Sequence, residues 1–77
     1  MINIKDVITL SDDNKYVVVS ICNYKNIKYY YLSNIKNNYI KIGYINKNSL
    51  VIVKDNSLIN KLLPRFTYEI IDELDNL

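Results

Sequence analysis

The sequence predicts an α+β fold: a five-stranded antiparallel β-meander, either open or curved into a barrel-like form, followed by one or two short C-terminal helices. Two observations predict it. Up to residue 54, short runs rich in Ile, Val and Tyr alternate with Asn- and Asp-rich turns. From residue 55 onward, apolar residues recur at helical spacing. A chain of 77 residues has room for one core, so we expect a single domain, with a sheet region over 1–54 and a helical region over 55–77.

The strands and turns follow from residue type. The runs with most β-branched and aromatic residues predict strands over residues 7–10, 15–22, 27–32, 39–45 and 50–53. Between them lie predicted turns over residues 11–14, 23–26, 34–38 and 46–48. Asn and Asp form these turns because their side chains bond to nearby backbone and tolerate left-handed conformations. The chain has only one glycine and one proline.

The run 15–22 is expected to be a central strand because both of its faces are largely apolar. Strict alternation places Val17, Val19 and Ile21 on one face, and the other face then carries Tyr16, Val18, Ser20 and Cys22. The number of residues in the following turn decides which tyrosines face the core, and the sequence leaves that register open. Two short helices cover only one face. We therefore expect curvature, a second copy of the chain or another protein to cover the other.

The C-terminal region is predicted to begin with a short helix. Asp55, Asn56 and Ser57 are suitable N-cap residues, and the apolar positions that follow are Leu58, Ile59, Leu62 and Leu63. Pro64 is expected to end this helix. For the remainder we favour a second helix, whose apolar stripe is Ile70, Ile71, Leu74 and Leu77. The alternative is a strand over residues 66–71.

Composition and charge are both unusual. Ile, Asn, Lys and Tyr occur 13, 12, 9 and 8 times, whereas Ala, Gln, His and Trp are absent. This is typical of an AT-rich genome, so the abundance of Tyr and Lys is weak evidence for a function. Residues 15–54 contain seven Lys and no acid, while the segments before and after them sum to −2 and −3. A basic sheet between acidic ends can mark an interaction surface.

Catalytic and metal-binding chemistry has little support, and we expect no enzyme and no cofactor. Without His there is no imidazole base or metal ligand, and a single Gly43 excludes a glycine-rich phosphate loop. Four acids could serve as oxygen ligands for a divalent cation, but turns explain them better: Asp6, Asp12, Asp13 and Asp55. Cys22 is expected to be structural, and a lone cysteine indicates a reducing compartment. With no signal peptide or bilayer-spanning run in the sequence, we expect a cytoplasmic protein without membrane contact.

One set of residues suggests a binding face. Tyr16, Lys28, Tyr30, Tyr39 and Lys41 fall where they can share one side of the sheet. Aromatic side chains interleaved with basic ones bind single-stranded nucleic acid in several folds, by base stacking and phosphate contacts. The alternative, which we favour, is that these tyrosines are half-buried and that the lysines cover the exposed side of the sheet.

Three stretches carry a resemblance to known proteins. Residues 6–19, 29–32 and 58–64 resemble short proteins of low-GC Gram-positive bacteria and of their phages and plasmids, in which a strand-rich region also precedes an acid-capped helix. This chain differs from the more acidic of those proteins in its basic centre. The resemblance implies an accessory protein of a mobile element, one that blocks a host defence system such as CRISPR. It assigns no functional residues.

The sequence therefore favours a non-enzymatic factor that binds another protein through its surface. A nucleic-acid-binding module and a structural subunit of a larger assembly are the alternatives. The two apolar faces of the sheet present more apolar surface than the short helices can bury. We therefore also expect the chain to form a homodimer or to need a partner.

Overall fold

Five antiparallel strands follow one another in chain order across a single curled sheet, and one helix packs on it. The computed structural model describes the backbone of residues 2–75 and the side chains of residues 2–66. The elements are β1 Val7–Thr9, β2 Lys15–Tyr24, β3 Ile27–Asn34, β4 Ile40–Asn46, β5 Ser49–Ile52 and α1 Asn56–Asp75. The predicted α+β class and five-stranded meander are confirmed, and the sheet curls into a half-barrel.

Two hairpins close with turns tighter than predicted. The Tyr24–Ile27 pair leaves only Lys25 and Asn26 in the first turn, and the second turn consists of Lys47 and Asn48. All four turn residues have positive φ, between 50° and 67°. Positive φ at both central positions is the signature of type I′ turns, whose twist matches that of the flanking strands. At these turns β2 therefore ends two residues later than predicted, β4 ends one residue later and β5 begins one residue earlier.

A β-bulge between Val18 and Ser20 overturns the predicted strict alternation along β2. The extra residue shifts the register by one, so the residues after it change faces. Tyr16 and Val18 consequently share a face with Ile21, while Cys22 joins the opposite face. The bulge lets one strand supply buried residues to both sides of the sheet.

The C-terminal region is one helix rather than two, and the expectation that Pro64 ends the first helix is wrong. Helix α1 runs through Pro64 to Asp75, which also excludes the alternative strand over residues 66–71. Asp55 caps the start, because its Oδ1 accepts the backbone N–H of Ser57 at 2.9 Å. Proline removes one helical hydrogen bond and crowds the carbonyl four residues earlier, so other contacts must offset its cost. Leu62 and Phe66, on either side of it, are fully buried against the sheet and hold the helix together. The predicted stripe at Ile70, Ile71, Leu74 and Leu77 lies outside the described side chains.

The core has two parts, one on each side of the sheet. On the helix face, Leu62 and Phe66 pack against buried Cys22, Tyr29 and Ile42 of the sheet and against Val53, which follows β5. The second face has its own cluster of Tyr16, Val18, Tyr30 and Leu32. The two edge strands, β1 and β5, both contribute side chains that pack against that cluster, among them Ile8, Leu50 and Ile52. Curvature, one of the three expected covers, thus shelters the second face, while self-association stays a prediction.

Gly43 allows the edge strand to pack closely in this curl. It pairs with Tyr30 on one side and Ile52 on the other. A Cβ atom at position 43 would lie 3.0 Å from Leu50 Cδ1 and 3.2 Å from the carbonyl oxygen of Val51. The missing side chain therefore leaves room for Leu50 to lean over β4.

Candidate functional site

The register brings most of the residues suggested as a binding face to the second face of the sheet. Lys28, Tyr30 and Leu32 lie on the same face of β3. Leu32 pairs with Val18 on β2 and with Lys41 on β4. Tyr16 lies two residues before Val18, on the same side. Tyr39 precedes β4 and is largely exposed in the loop. Four of the five residues therefore share a face.

Burial removes the two central rings of this set from the surface. Tyr16 is only 2% exposed and Tyr30 only 5%. Lys41 Nζ lies 5.4 Å from the centroid of the Tyr16 ring, and Lys28 Nζ lies 6.0 Å from that of Tyr30. The lysines cover the aromatic rings, so these rings offer no open surface on which a base could stack.

Asp12 anchors one end of that face. Its Oδ2 accepts hydrogen bonds from the hydroxyl of Tyr16 at 2.9 Å and from Lys41 Nζ at 3.1 Å, and its Oδ1 accepts the backbone N–H of Asn14 at 2.9 Å. The Asn14 bond, followed by those from Lys41 and Tyr16, holds the pKa of Asp12 well below its usual range despite an opposing effect of burial. The bond to Asp12 likewise raises the pKa of Lys41. The charge on Lys41 is therefore locally neutralised, an arrangement the sequence analysis missed because Asp12 was assigned only to a turn.

The remaining acids behave as turn and cap residues. Asp6 Oδ2 accepts the backbone N–H of Asn3 at 2.8 Å, and Asp55 caps α1. Asp13 sits in the β1–β2 turn with a φ of 63°. In the described part of the chain, no group of three or more potential metal ligands comes together.

Cys22 and Tyr29 are adjacent in the helix-face core. Cys22 is buried and reduced, and Tyr29 lies opposite it on β3. Burial raises the pKa of the Tyr29 hydroxyl, and the ring packs edge-to-face with Tyr44, with centroids 5.8 Å apart. Both side chains are enclosed and serve packing.

An apolar groove lies between the start of β4 and the flank of α1 that carries Ile59 and Leu63. Strand β5 ends at Ile52, so the beginning of β4 continues beyond it and faces one side of the helix. The groove holds about 370 Å³, and its lining is aliphatic and aromatic except for one lysine: Tyr31, Ile40, Lys41, Ile42, Ile52, Val53, Ile59 and Leu63. Ile40, at its rim, is 42% exposed. We call this feature the apolar groove.

A basic surface lies on the other flank of α1. The Tyr24 ring, at the end of β2, has the Arg65 guanidinium 4.7 Å from its centroid and Lys25 Nζ 5.4 Å from it. Lys61, one helical turn before Arg65, lines a shallow pocket of about 220 Å³ together with Tyr24 and Lys25. We call Tyr24, Lys25, Lys61 and Arg65 the basic flank. Neither surface was found from the sequence, because each forms only when α1 docks on the sheet.

Comparisons with protein-family models, with curated proteins and with solved structures find no match for this chain. In the described residues, no helix has both the length and the apolar character needed to cross a membrane.

Proposed function

We propose that this protein is a non-enzymatic factor that binds another protein, and that the apolar groove receives an apolar segment of that partner. The observation that carries the proposal is the groove itself, with Ile40 exposed at its rim. Exposed apolar residues grouped around a concavity are typical of protein-interaction sites, whereas isolated ones are ordinary.

The dimensions of the groove suit inserted side chains. Its volume of about 370 Å³ lies at the lower end of the ~300–1,000 Å³ range of ligand pockets. Tyr31, Ile42 and Ile59 are largely sheltered and provide a floor that exists before anything binds. A preformed apolar site loses little conformational entropy on binding, and this favours affinity.

A different protein suits this groove better than a second copy. In a two-fold dimer the same patch meets itself, so it must be self-complementary. A concave groove that meets an identical groove leaves a void between the two copies. We therefore expect the convex segment that fills the groove to come from a different protein and not from a second copy of this chain.

The nucleic-acid alternative has weaker support. Tyr16 and Tyr30 are buried, and Lys41 is engaged by Asp12. Stacking needs open aromatic faces, and phosphate binding needs uncompensated cations. On the face suggested for nucleic acid, these central groups are already in use.

The partner we propose is a host defence protein, such as a component of a CRISPR system. This follows from the resemblance to short proteins of mobile elements in low-GC Gram-positive bacteria. An inhibitor that acts by occupying a surface needs no catalytic group, and a preformed groove on a small rigid sheet is sufficient for that mode of action.

Two matched isoleucines test the groove. Ile40 and Ile45 lie on the same strand and are almost equally exposed, at 42% and 43%, but only Ile40 lines the groove. We expect Ile40→Asp to abolish capture of a partner from a low-GC Gram-positive lysate by the tagged chain, while Ile45→Asp retains it. Circular dichroism checks that both variants fold. Equal retention, or equal loss with both variants folded, would contradict the proposal.

A further inference from the structure

The basic flank gathers three cations, and none of them forms an ion pair with an acid among the side chains of residues 2–66. Lys25 and Arg65 are both held over the Tyr24 ring, and Lys61 lines the adjoining pocket. Among the side chains of residues 2–66, the ion pair of Lys41 with Asp12 is the only one within 4.0 Å. The ring therefore positions Lys25 and Arg65, and no described carboxylate pairs with any of the three cations.

The one described acid nearby is already engaged. Asp55 lines the same pocket, where its Oδ1 accepts the N–H of Ser57 at the start of α1. A carboxylate in this position is stabilised by the N–H groups and the dipole of the helix N-terminus, which hold it at the cap. Among the described side chains, the three cations of the flank therefore outnumber this one acid.

The two β-hairpin turns extend this positive charge along one end of the sheet. In a meander, the β2–β3 and β4–β5 turns lie at the same end. Their lysines, Lys25 and Lys47, are both exposed, as is Lys28 at the start of β3. The described acids Asp6, Asp12 and Asp13 belong to the segments flanking β1, with Asp12 at the opposite end beside Tyr16 and Lys41. The described acids of the sheet region thus lie away from the end that carries these two turns.

We propose that the basic flank binds the carboxylates of an acidic segment of the partner protein. This deepens the proposed function, and rests on it, by naming the chemistry of the partner: an apolar segment for the groove and acidic side chains for the surface across the helix. Lys61 and Arg65 are four residues apart on α1 and project to the same side, so neighbouring carboxylates can contact both. The Arg65 guanidinium can donate two parallel hydrogen bonds to one carboxylate.

The geometry favours an acidic peptide over a nucleic acid. The Tyr24 ring, the aromatic group at the centre of the flank, is already covered by Lys25 and Arg65 and has little face left for a base. Ile27 and Leu58 line the pocket beside the cations, and such a mixed surface suits the methylene groups of glutamate side chains.

Binding of a labelled deca-glutamate peptide, measured by fluorescence anisotropy, tests this inference. The measurement is made at about 50 and 150 mM salt, because binding that depends on charge weakens as salt screens it. The variant Lys61→Gln/Arg65→Gln removes two cations from the flank. The control Lys15→Gln/Lys36→Gln removes the same charge from exposed residues at the other end of the sheet. We expect the first variant to weaken peptide binding about tenfold and the control to change it less than about twofold.

Each other outcome overturns the inference. Equal weakening by both double variants would reduce the effect to net charge, and the absence of peptide binding to the unaltered chain would remove the site. A single-stranded dT20 probe that binds tighter than the peptide would assign the flank to nucleic acid. None of these results touches the apolar groove, which the peptide does not fill, so failure here is distinguishable from failure at Ile40.

Discussion

Replacement of Leu62 by alanine tests how α1 is attached to the sheet. Leu62 is fully buried between the helix and the sheet, whereas its neighbour Leu63 is 37% exposed along the groove. The two residues have the same side chain and the same helix propensity. Any difference between Leu62→Ala and Leu63→Ala therefore reports their packing.

The expected magnitudes follow from burial. Leu→Ala removes three carbons, each contributing about 0.8 kcal/mol when buried. At Leu62 an enclosed cavity adds to this, so we expect a loss of about 3 kcal/mol in the free energy of unfolding, inside the ~2–5 kcal/mol range for such changes. At Leu63 burial is partial and the groove is already open, so the expected loss is about 1 kcal/mol. The total stability of a chain this size is about 4–12 kcal/mol.

Urea denaturation followed by circular dichroism measures both losses at unchanged m-value. The reasoning requires Leu62→Ala to be clearly the more damaging change. Equal losses, or a larger loss at Leu63, would mean that α1 does not pack on the sheet through Leu62, and the groove and basic flank would lose their common scaffold.

Three further outcomes follow from single residues. Pro64→Ala should raise the melting temperature, because it restores a helical N–H bond to the Asn60 carbonyl at a position where proline costs up to about 3 kcal/mol; a lower melting temperature would show that the proline shapes the helix for packing. Because the pKa of Asp12 is lowered in the fold from its ordinary value of 3.8, its contacts stabilise the protein above about pH 4 and are lost as the pH falls below that. Asp12→Asn should therefore flatten the acid limb of a plot of melting temperature against pH, and an unchanged limb would contradict the Lys41 and Tyr16 contacts. Cys22, buried in the helix-face core, should react with a thiol reagent such as DTNB only at the rate of unfolding, so immediate labelling of the native protein would refute its burial.

The order and positions of the strands could be predicted because each rests on local chemistry. β-branched and aromatic residues mark β2 and β3, and Asn marks the turns on both sides of them. The hairpin turns proved shorter because Lys25 and Lys47, residues that rarely take positive φ, do so here. Propensity rules assign such residues to other conformations.

The errors arose where tertiary packing overrides a local rule. Proline usually ends a helix, but burial of Leu62 and Phe66 on either side keeps α1 continuous through Pro64. The faces of β2 were assigned by strict alternation, which the bulge at Val18–Ser20 breaks. A bulge depends on both strands of a pair and has no reliable signature in one of them.

The candidate sites were the least predictable part for a related reason. The apolar groove joins Ile40 to Ile59, and the basic flank joins Tyr24 to Arg65; both depend on where the helix docks. The face suggested from the sequence contained the correct neighbours, Tyr16 and Lys41. Its rings are buried because the sheet curls over them, and no pattern in the sequence gives the degree of curl.

Photo-crosslinking from position 40 tests the central claim most directly. A benzoylphenylalanine at Ile40 would sit at the rim of the groove, and the same residue at Ile45 would be equally exposed on the other side of β4. In a lysate of a low-GC Gram-positive bacterium, we predict a crosslinked product with a second, different protein from position 40 and none from position 45. Crosslinks of equal yield from both positions, or a product from position 40 with the mass of two copies of this chain, would contradict a groove that receives a segment of another protein.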